Sequence, residues 1–216
     1  MSTKRDTLFQ KDHIFEVKRD GVTHVISETY DYKTEPYYAI LSLEMKGIAV
    51  APGSTPVLDA YVVPICLEKA GLAGIPVCEW IISHSYVQYP AIIYGINYFA
   101  TSEEFAIVED PSEGKKAIKH VTNNGKYPFC YQKLDKGASI IKTVAIFGKI
   151  CAGDPALADI AEKIYTLFRI PLVTMVVVIN NGTAPCLSSL APTRYSRLTH
   201  EEKALLHAYV TNQEFL

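Results

Sequence analysis

Two side chains in this sequence are of types that can carry a reaction near neutral pH. His84, between Ser83 and Ser85, could serve as a general base, because an unperturbed imidazole titrates in the physiological range. Cys186 follows the turn-rich run Asn180-Asn181-Gly182-Thr183-Ala184-Pro185, where a thiol facing a cleft could act as a nucleophile. Other groups suit binding. Asn180 and Asn181 follow the apolar run Leu172 to Ile179, and strand ends of this kind are where open α/β sheets hold ligands. Arg194 and Arg197 flank Tyr195 and could grip a carboxylate or phosphate through bidentate hydrogen bonds. Ser54, after Pro52-Gly53, stands at a helix start whose amides could bind an anion. Each group also has a plain structural role open to it. These are a polar loop at His84, a turn at Asn181-Gly182, a solvated arginine pair, a simple cap at Ser54, and a thiol packed as a small apolar group.

The composition narrows the function classes. With 21 basic and 23 acidic residues among 216 and a pI near 6.3, no charge excess draws a nucleic acid backbone or an anionic membrane. The longest apolar run, Ile170 to Ile179, is about half of the roughly 20 residues a membrane helix needs. The opening Met1-Ser2-Thr3-Lys4-Arg5-Asp6 has no apolar signal core. These features predict a cytoplasmic protein with neither nucleic acid nor membrane as partner. The five cysteines show no Cys-x-x-Cys spacing and no close histidine, so they nominate neither a metal site nor a disulfide scaffold. No cofactor is nominated either. Fourteen tyrosines, with Tyr86, Tyr89, Tyr94 and Tyr98 close in sequence, suggest either an aromatic-lined pocket or an interface between copies of the chain.

The elements that must position these groups alternate between strand and helix. Residues 1–20 are polar and weakly patterned and are expected to form an N-terminal arm; residues 21–216 form a single α/β domain. Val22 to Ser27 alternates as a half-buried strand, and Pro36 opens a helix that closes near Gly47. A second helix follows Thr55-Pro56, with Pro64 marking a kink or late start; Ala60 to Val63 suits a short strand equally well. Ile75 to Trp80, Ala91 to Ile93 and Phe105 to Val108 read as short strands. Asp110-Pro111 and Asp154-Pro155 start helices, and Thr199-x-x-Glu202 is a capping box for a last one. Phe129 to Leu134 and Ile140 to Phe147, separated by Asp135-Lys136-Gly137, carry the chemistry of an antiparallel hairpin.

In order, these elements resemble the ATP-grasp superfamily, specifically carboxylate-amine ligases of the ribosomal-protein glutamate ligase type, from about Tyr37 onward. The resemblance rests on Leu43-Glu44-Met45-Lys46-Gly47-Ile48-Ala49-Val50, Ala73-Gly74-Ile75-Pro76, Tyr89-Pro90-Ala91-Ile92-Ile93-Tyr94, Phe105 to Asp110, Tyr131-Gln132-Lys133-Leu134, and Leu157 to Val178. It implies an α/β (α+β) fold with a mixed sheet, two lobes (21–88 and 89–216, the second ATP-grasp-like) and an antiparallel hairpin. It also implies that Gln132 lies on the strand that contacts adenine. The phosphate-binding lysine of the family falls on Tyr94, and its Glu-x-Asn-x-x-Pro metal motif falls on Leu187-Ser188-Ser189-Leu190-Ala191-Pro192. Gly95-Ile96-Asn97-Tyr98-Phe99 replaces the glycine-rich flap.

Such a chain is expected to be a degenerate ATP-grasp protein. It would bind a small molecule or a partner subunit, as a homo-oligomer, without ATP-dependent ligation. The alternatives are a small enzyme working through His84 or Cys186, or a residual carboxylate-amine ligase. Asp59 to Pro64, Leu67 to Gly71 and Ile75-Pro76-Val77 also resemble glycine reductase B-type α/β proteins, which would instead imply a mostly parallel sheet.

Overall fold

The computed structural model describes residues 9–97, 102–180 and 184–211. The chain opens with an antiparallel hairpin, β1 (Phe15–Arg19) against β2 (Val22–Ile26), in which Phe15 faces Ile26 and Arg19 faces Val22. Asp20 and Gly21 make the turn with φ of 46° and 78°, the left-handed conformation that glycine takes freely and aspartate tolerates. Phe15, Val17 and Arg19 alternate inward. Part of the segment expected to be an arm is therefore a strand, because a period-2 pattern before Asp-Gly is already hairpin chemistry. β3 (Val50–Ala51) adds to β2 in parallel, which makes this three-stranded sheet mixed.

Between them runs α1 (Glu35–Met45), with Pro36 in its first turn. α2 (Ser54–Tyr61) and α3 (Val63–Leu72) are separated by Val62 alone, extended at φ −95° and ψ 100°. Pro64 lacks the amide needed to continue α2 but fits the first turn of a new helix, so residues 60–63 are helical with a break rather than a strand.

The second sheet has four strands in the order β4 (Ile81–Ser83), β7 (Phe129–Lys133), β5 (Ala91–Gly95), β6 (Phe105–Val108), and every neighbouring pair is antiparallel. That pattern excludes the mostly parallel alternative. α4 (Pro111–Val121) is started by Asp110, whose Oδ1 accepts from the amides of Ser112 at 2.7 Å and Glu113 at 3.1 Å. The third sheet runs β10 (Cys186–Ala191), β9 (Leu172–Ile179), β8 (Ser139–Ile146). The strands flanking Asp135 thus lie in different sheets instead of pairing: β7 is hydrogen-bonded on both edges, to β4 and β5, and has no edge left for β8. Antiparallel hairpins occur instead at β1–β2 and β5–β6.

α5 (Pro155–Phe168) is capped by Asp154 and ends on Arg169 in the left-handed region. α6 (His200–Thr211) begins with the reciprocal box, the Thr199 amide donating to Glu202 at 2.8 Å and the Glu202 amide to Thr199 at 3.2 Å. Among the described residues, no helix is long and apolar enough to cross a membrane.

The chain forms two compact units drawn from discontinuous segments: residues 1–58, 144–174 and 192–216, and residues 59–143 and 175–191. The lobes expected from the sequence were contiguous, whereas α2, β8 and β9 each contribute to both units. The first unit buries Phe15, Val17, Ile26, Phe147, Tyr195 and Tyr209 among others. In the second, Ala91, Ile93, Phe129 and Tyr131 form an apolar layer against Ala117, Ile118 and Val121 of α4.

Candidate functional site

The second unit assembles Tyr94, Gln132, Leu187 and Ser189, positions that the resemblance to ATP-grasp ligases singles out. Register places Tyr94 opposite Cys130 and Ile92 opposite Gln132, so all four side chains share the face of the sheet away from α4. On that face lies β10, which α3 packs against. The bridge between Val77 and Leu187 fixes β10, with the Cys78 amide donating to the Leu187 carbonyl at 2.9 Å and the Leu187 amide to the Pro76 carbonyl at 2.8 Å.

Tyr94, Gln132, Ser188 and Ser189 are all fully buried there, and they bond to one another. Ser188 Oγ donates to Gln132 Oε1 at 2.6 Å, so the 2.7 Å contact between Tyr94 Oη and Ser188 Oγ must have the tyrosine as donor. Ser189 Oγ donates to Tyr94 Oη at 3.1 Å, and Gln132 Nε2 donates to the Ser188 carbonyl at 2.7 Å. The network is directional and uncharged, and each hydroxyl proton in it has an acceptor.

The surroundings reinforce this neutrality. Burial pushes the thiols of Cys66, Cys78 and Cys130 up to about 12. It also raises the Tyr94 phenol, against the opposing effect of its hydrogen bonds to Ser188 and Ser189. Leu187, where the resemblance expects a metal-binding glutamate, is fully buried too. A cation reaches only the border: the Phe105 ring lies 5.4 Å from that of Tyr94, and Lys142 Nζ stands 4.7 Å from the Phe105 centroid.

The other candidates are placed differently. His84 is exposed in the turn after β4, where Ser83 Oγ accepts from the amides of Ser85 and Tyr86, the polar-loop arrangement. Cys186 is partly buried at the start of β10; its thiol donates to the Ala184 carbonyl at 3.6 Å, and burial raises it, opposite to what an activated nucleophile requires. Asn180 Oδ1 accepts from the Asp135 amide at 3.4 Å, and Asn181 lies outside the described residues.

Ser54 and Arg194 belong to the first unit. The Ser54 amide donates to Glu44 Oε1 at 2.8 Å, so a carboxylate of the chain already holds that helix start. Arg194 is exposed and precedes the 3-10 turn Tyr195–Arg197. Of the four tyrosines, Tyr86 is exposed, Tyr89 is half-buried, Tyr94 is buried, and Tyr98 is outside the described residues. Of the serines that complete the network, Ser189 entered the sequence comparison only in place of the motif's asparagine and Ser188 only as an unspecified motif position; the pairing of Ser188 with Tyr94 and Gln132 spans 94 and 56 residues.

No family profile and no curated protein matches this sequence. Solved structures do. A RimK-domain ATP-grasp protein from Sphaerobacter thermophilus superposes with a TM-score of 0.59 at 17% identity, covering 82% of this chain and 77% of that one. D-alanine–D-alanine ligase from Bacillus anthracis gives 0.56 at 12% identity, over 78% of this chain and 69% of that one. An L-amino acid ligase from Bacillus licheniformis gives 0.52 at 12% identity, with 81% of this chain spanning 49% of that protein. The chain has the ATP-grasp fold.

Proposed function

We propose that this chain is an ATP-grasp-fold protein that binds a small molecule or a partner subunit and does not catalyse ATP-dependent ligation. The observation that carries the proposal is the closed network of Tyr94, Gln132, Ser188 and Ser189. Phosphoryl transfer to a carboxylate needs a cation on the phosphates and carboxylate or amide ligands for magnesium, since its catalysis is mainly charge neutralisation and positioning. At the positions where the resemblance expects them, this chain has a phenol, a buried leucine and a buried serine, and the polar groups are spent on each other. The residues present do not fit magnesium or a triphosphate. Lys142 favours a weaker second reading, a residual nucleotide contact at the border of the sheet.

A binding role gains support from β4, an edge strand on which Ile81 and Ile82 are 48% and 49% exposed, followed by Tyr86 at 62%. An apolar edge with unpaired backbone groups is a surface that a partner strand can complete. Two measurements test the proposal. Magnesium-ATP should leave the melting temperature unchanged; occupancy at a hundredfold excess over Kd would add about 2.7 kcal/mol, a rise of about 5–10 °C for a chain of this size. Such a rise, with release of phosphate in the presence of amino-acid acceptors, refutes it. Light scattering should show a mass above that of one chain, reduced by Ile82→Lys; a monomer at all concentrations removes the partner-subunit reading.

A further inference from the structure

In the first unit, Arg19 is a buried arginine that forms no ion pair among the described residues. Arg19 is 6% exposed, and its Nη1 and Nη2 have no hydrogen-bond partner among the described residues. A guanidinium carries five donors, and burying a charge without a partner is among the costliest arrangements in a protein. Its Cζ lies 6.0 Å from the centroid of the Tyr209 ring. A cation over an aromatic face is attracted to it but is not hydrogen-bonded by it.

More positive charge gathers around the same rings. Lys149 Nζ is 5.9 Å from the Tyr209 centroid, and Arg169 Cζ is 5.0 Å from that of Tyr165. Phe147 ties the rings together, stacking on Tyr209 at 4.4 Å and lying 5.8 Å from Tyr165 and 5.4 Å from His24. His24 is itself 4% exposed, with an unpartnered Nδ1. Lys149 and Arg169 are exposed, so the buried arginine has solvent-facing cations beside it. None of the three cations takes part in the ion pairs formed among the described residues.

We infer that Arg19, Lys149, Arg169 and His24 form a binding site for a phosphate-type dianion, either free phosphate or a phosphate monoester. Asp20, in the β1–β2 turn, is the carboxylate that acts on His24, against Arg169 and Arg19, and none of the three cations is ion-paired among the described residues. Several cations without ion pairs suit a dianion better than a single carboxylate. Arg19 supplies a fixed, desolvated fork and the exposed pair closes the outer side, a division suited to tetrahedral oxyanions. Arg169 alone has a simpler role open to it, since a cation at the end of α5 complements the helix dipole. That account leaves the orphaned donors of Arg19 and the convergence with Lys149 unexplained. The inference concerns the first unit and does not depend on the function proposed for the second.

The test titrates the intact chain with inorganic phosphate and, in parallel, phenyl phosphate, at constant ionic strength set by sodium chloride. Melting temperature and the histidine ring resonances in NMR are the readouts. Phosphate should raise the melting temperature saturably. It should also raise the pKa of His24, which burial holds down first and Arg169 and Arg19 second, against the opposite effect of Asp20; the phenols of Tyr165 and Tyr209 pack on the same Phe147 ring as His24. Lys149→Gln and Arg169→Gln, both at exposed positions, should each weaken binding about tenfold. Arg19→Met should abolish it while raising the melting temperature of the free protein, the reverse of what a purely structural arginine would do. Tighter binding of phenyl phosphate assigns the site to an ester, and equal binding assigns it to the phosphate group alone. The inference is overturned if chloride matches the effect of phosphate, if nothing saturates, or if the double variant Lys149→Gln, Arg169→Gln binds as the parent does. The magnesium-ATP experiment repeated in that double variant separates this site from the second unit: a rise that persists there counts against the proposed function, and one that disappears belongs to this cluster.

Discussion

Replacing Tyr94 by phenylalanine removes one oxygen from a site with no access to water, which makes the cost calculable. Tyr94 Oη donates to Ser188 Oγ at 2.7 Å and accepts from Ser189 Oγ at 3.1 Å. In the variant Ser188 still donates to Gln132, but Ser189, fully buried, loses its acceptor. One net hydrogen bond contributes about 1 kcal/mol, and an orphaned buried donor costs about 1–3 kcal/mol. Together these give about 2–4 kcal/mol, or about 5–15 °C in melting temperature for a chain of this length. Urea unfolding should show a lower midpoint at unchanged slope. Ser188→Ala removes the neighbouring hydroxyl, and the double variant should fall short of additivity by about 1 kcal/mol, because the two changes break the same bond. A Tyr94→Phe protein within about 0.5 kcal/mol of the parent, a size typical of exposed substitutions, would mean that the phenol is not held by the serines. The description of the second unit as closed and neutral would then be wrong.

Two further perturbations probe the frame around that network. A Cβ on Gly114, in α4, would stand 2.1 Å from Tyr89 Oη and 2.4 Å from its Cε1, so Gly114→Ala should destabilise by about 1–3 kcal/mol through overpacking despite its better helix propensity. Adding Tyr89→Ala should recover that loss in a thermal melt, and a Gly114→Ala protein more stable than the parent would contradict the contact. The thiols of Cys66, Cys78 and Cys130 sit near 12 instead of their usual value near 9. A group whose folded pKa is raised stabilises fully below its unfolded pKa and loses that contribution as pH climbs toward the folded one. Stability measured by urea unfolding should therefore fall between about pH 9 and 12, and less steeply in Cys130→Ala than in the parent; an unchanged slope would mean that the thiol is hydrated.

What could be read from the sequence was what local chemistry decides. Asp110, Asp154 and the Thr199 and Glu202 pair each satisfy helix amides within three residues of themselves, so their helices start where the residues say. The strand runs at Phe105 to Val108 and Leu172 to Ile179 were legible for the same reason. Partners across sheets were not. Asp135-Lys136-Gly137 has hairpin chemistry, yet β7 pairs with β4 and β5, because pairing is settled by which edges are already taken. β10 carries no alternation at all, since Cys186 to Ala191 is buried along nearly its whole length, and a strand covered on both faces loses the period of two. In the candidate site, Tyr94 and Gln132 were nominated through the family resemblance, whereas their function as members of one network depends on Ser188 and Ser189 arriving from another sheet. The β1–β2 hairpin was missed although its signal was present: Phe15, Val17 and Arg19 alternate and lead into Asp20-Gly21, but a charged residue at the third inward position makes the segment look like a polar tail.

That misleading position is also the most informative residue of the first unit. An inward-facing arginine is costly unless something offsets its desolvation, and no ion pair among the described residues does so. The second unit shows the opposite treatment of polarity, with tyrosine, glutamine and two serines holding one another so that nothing charged remains. The positions that the resemblance assigns to cation and metal chemistry are neutral and closed, while unpaired positive charge collects at Arg19, Lys149 and Arg169. Each arrangement has a physical consequence that can be checked alone, since the neutral network should respond to loss of a hydroxyl and ignore anions, and the cationic cluster should respond to anions and gain stability when its buried charge is removed.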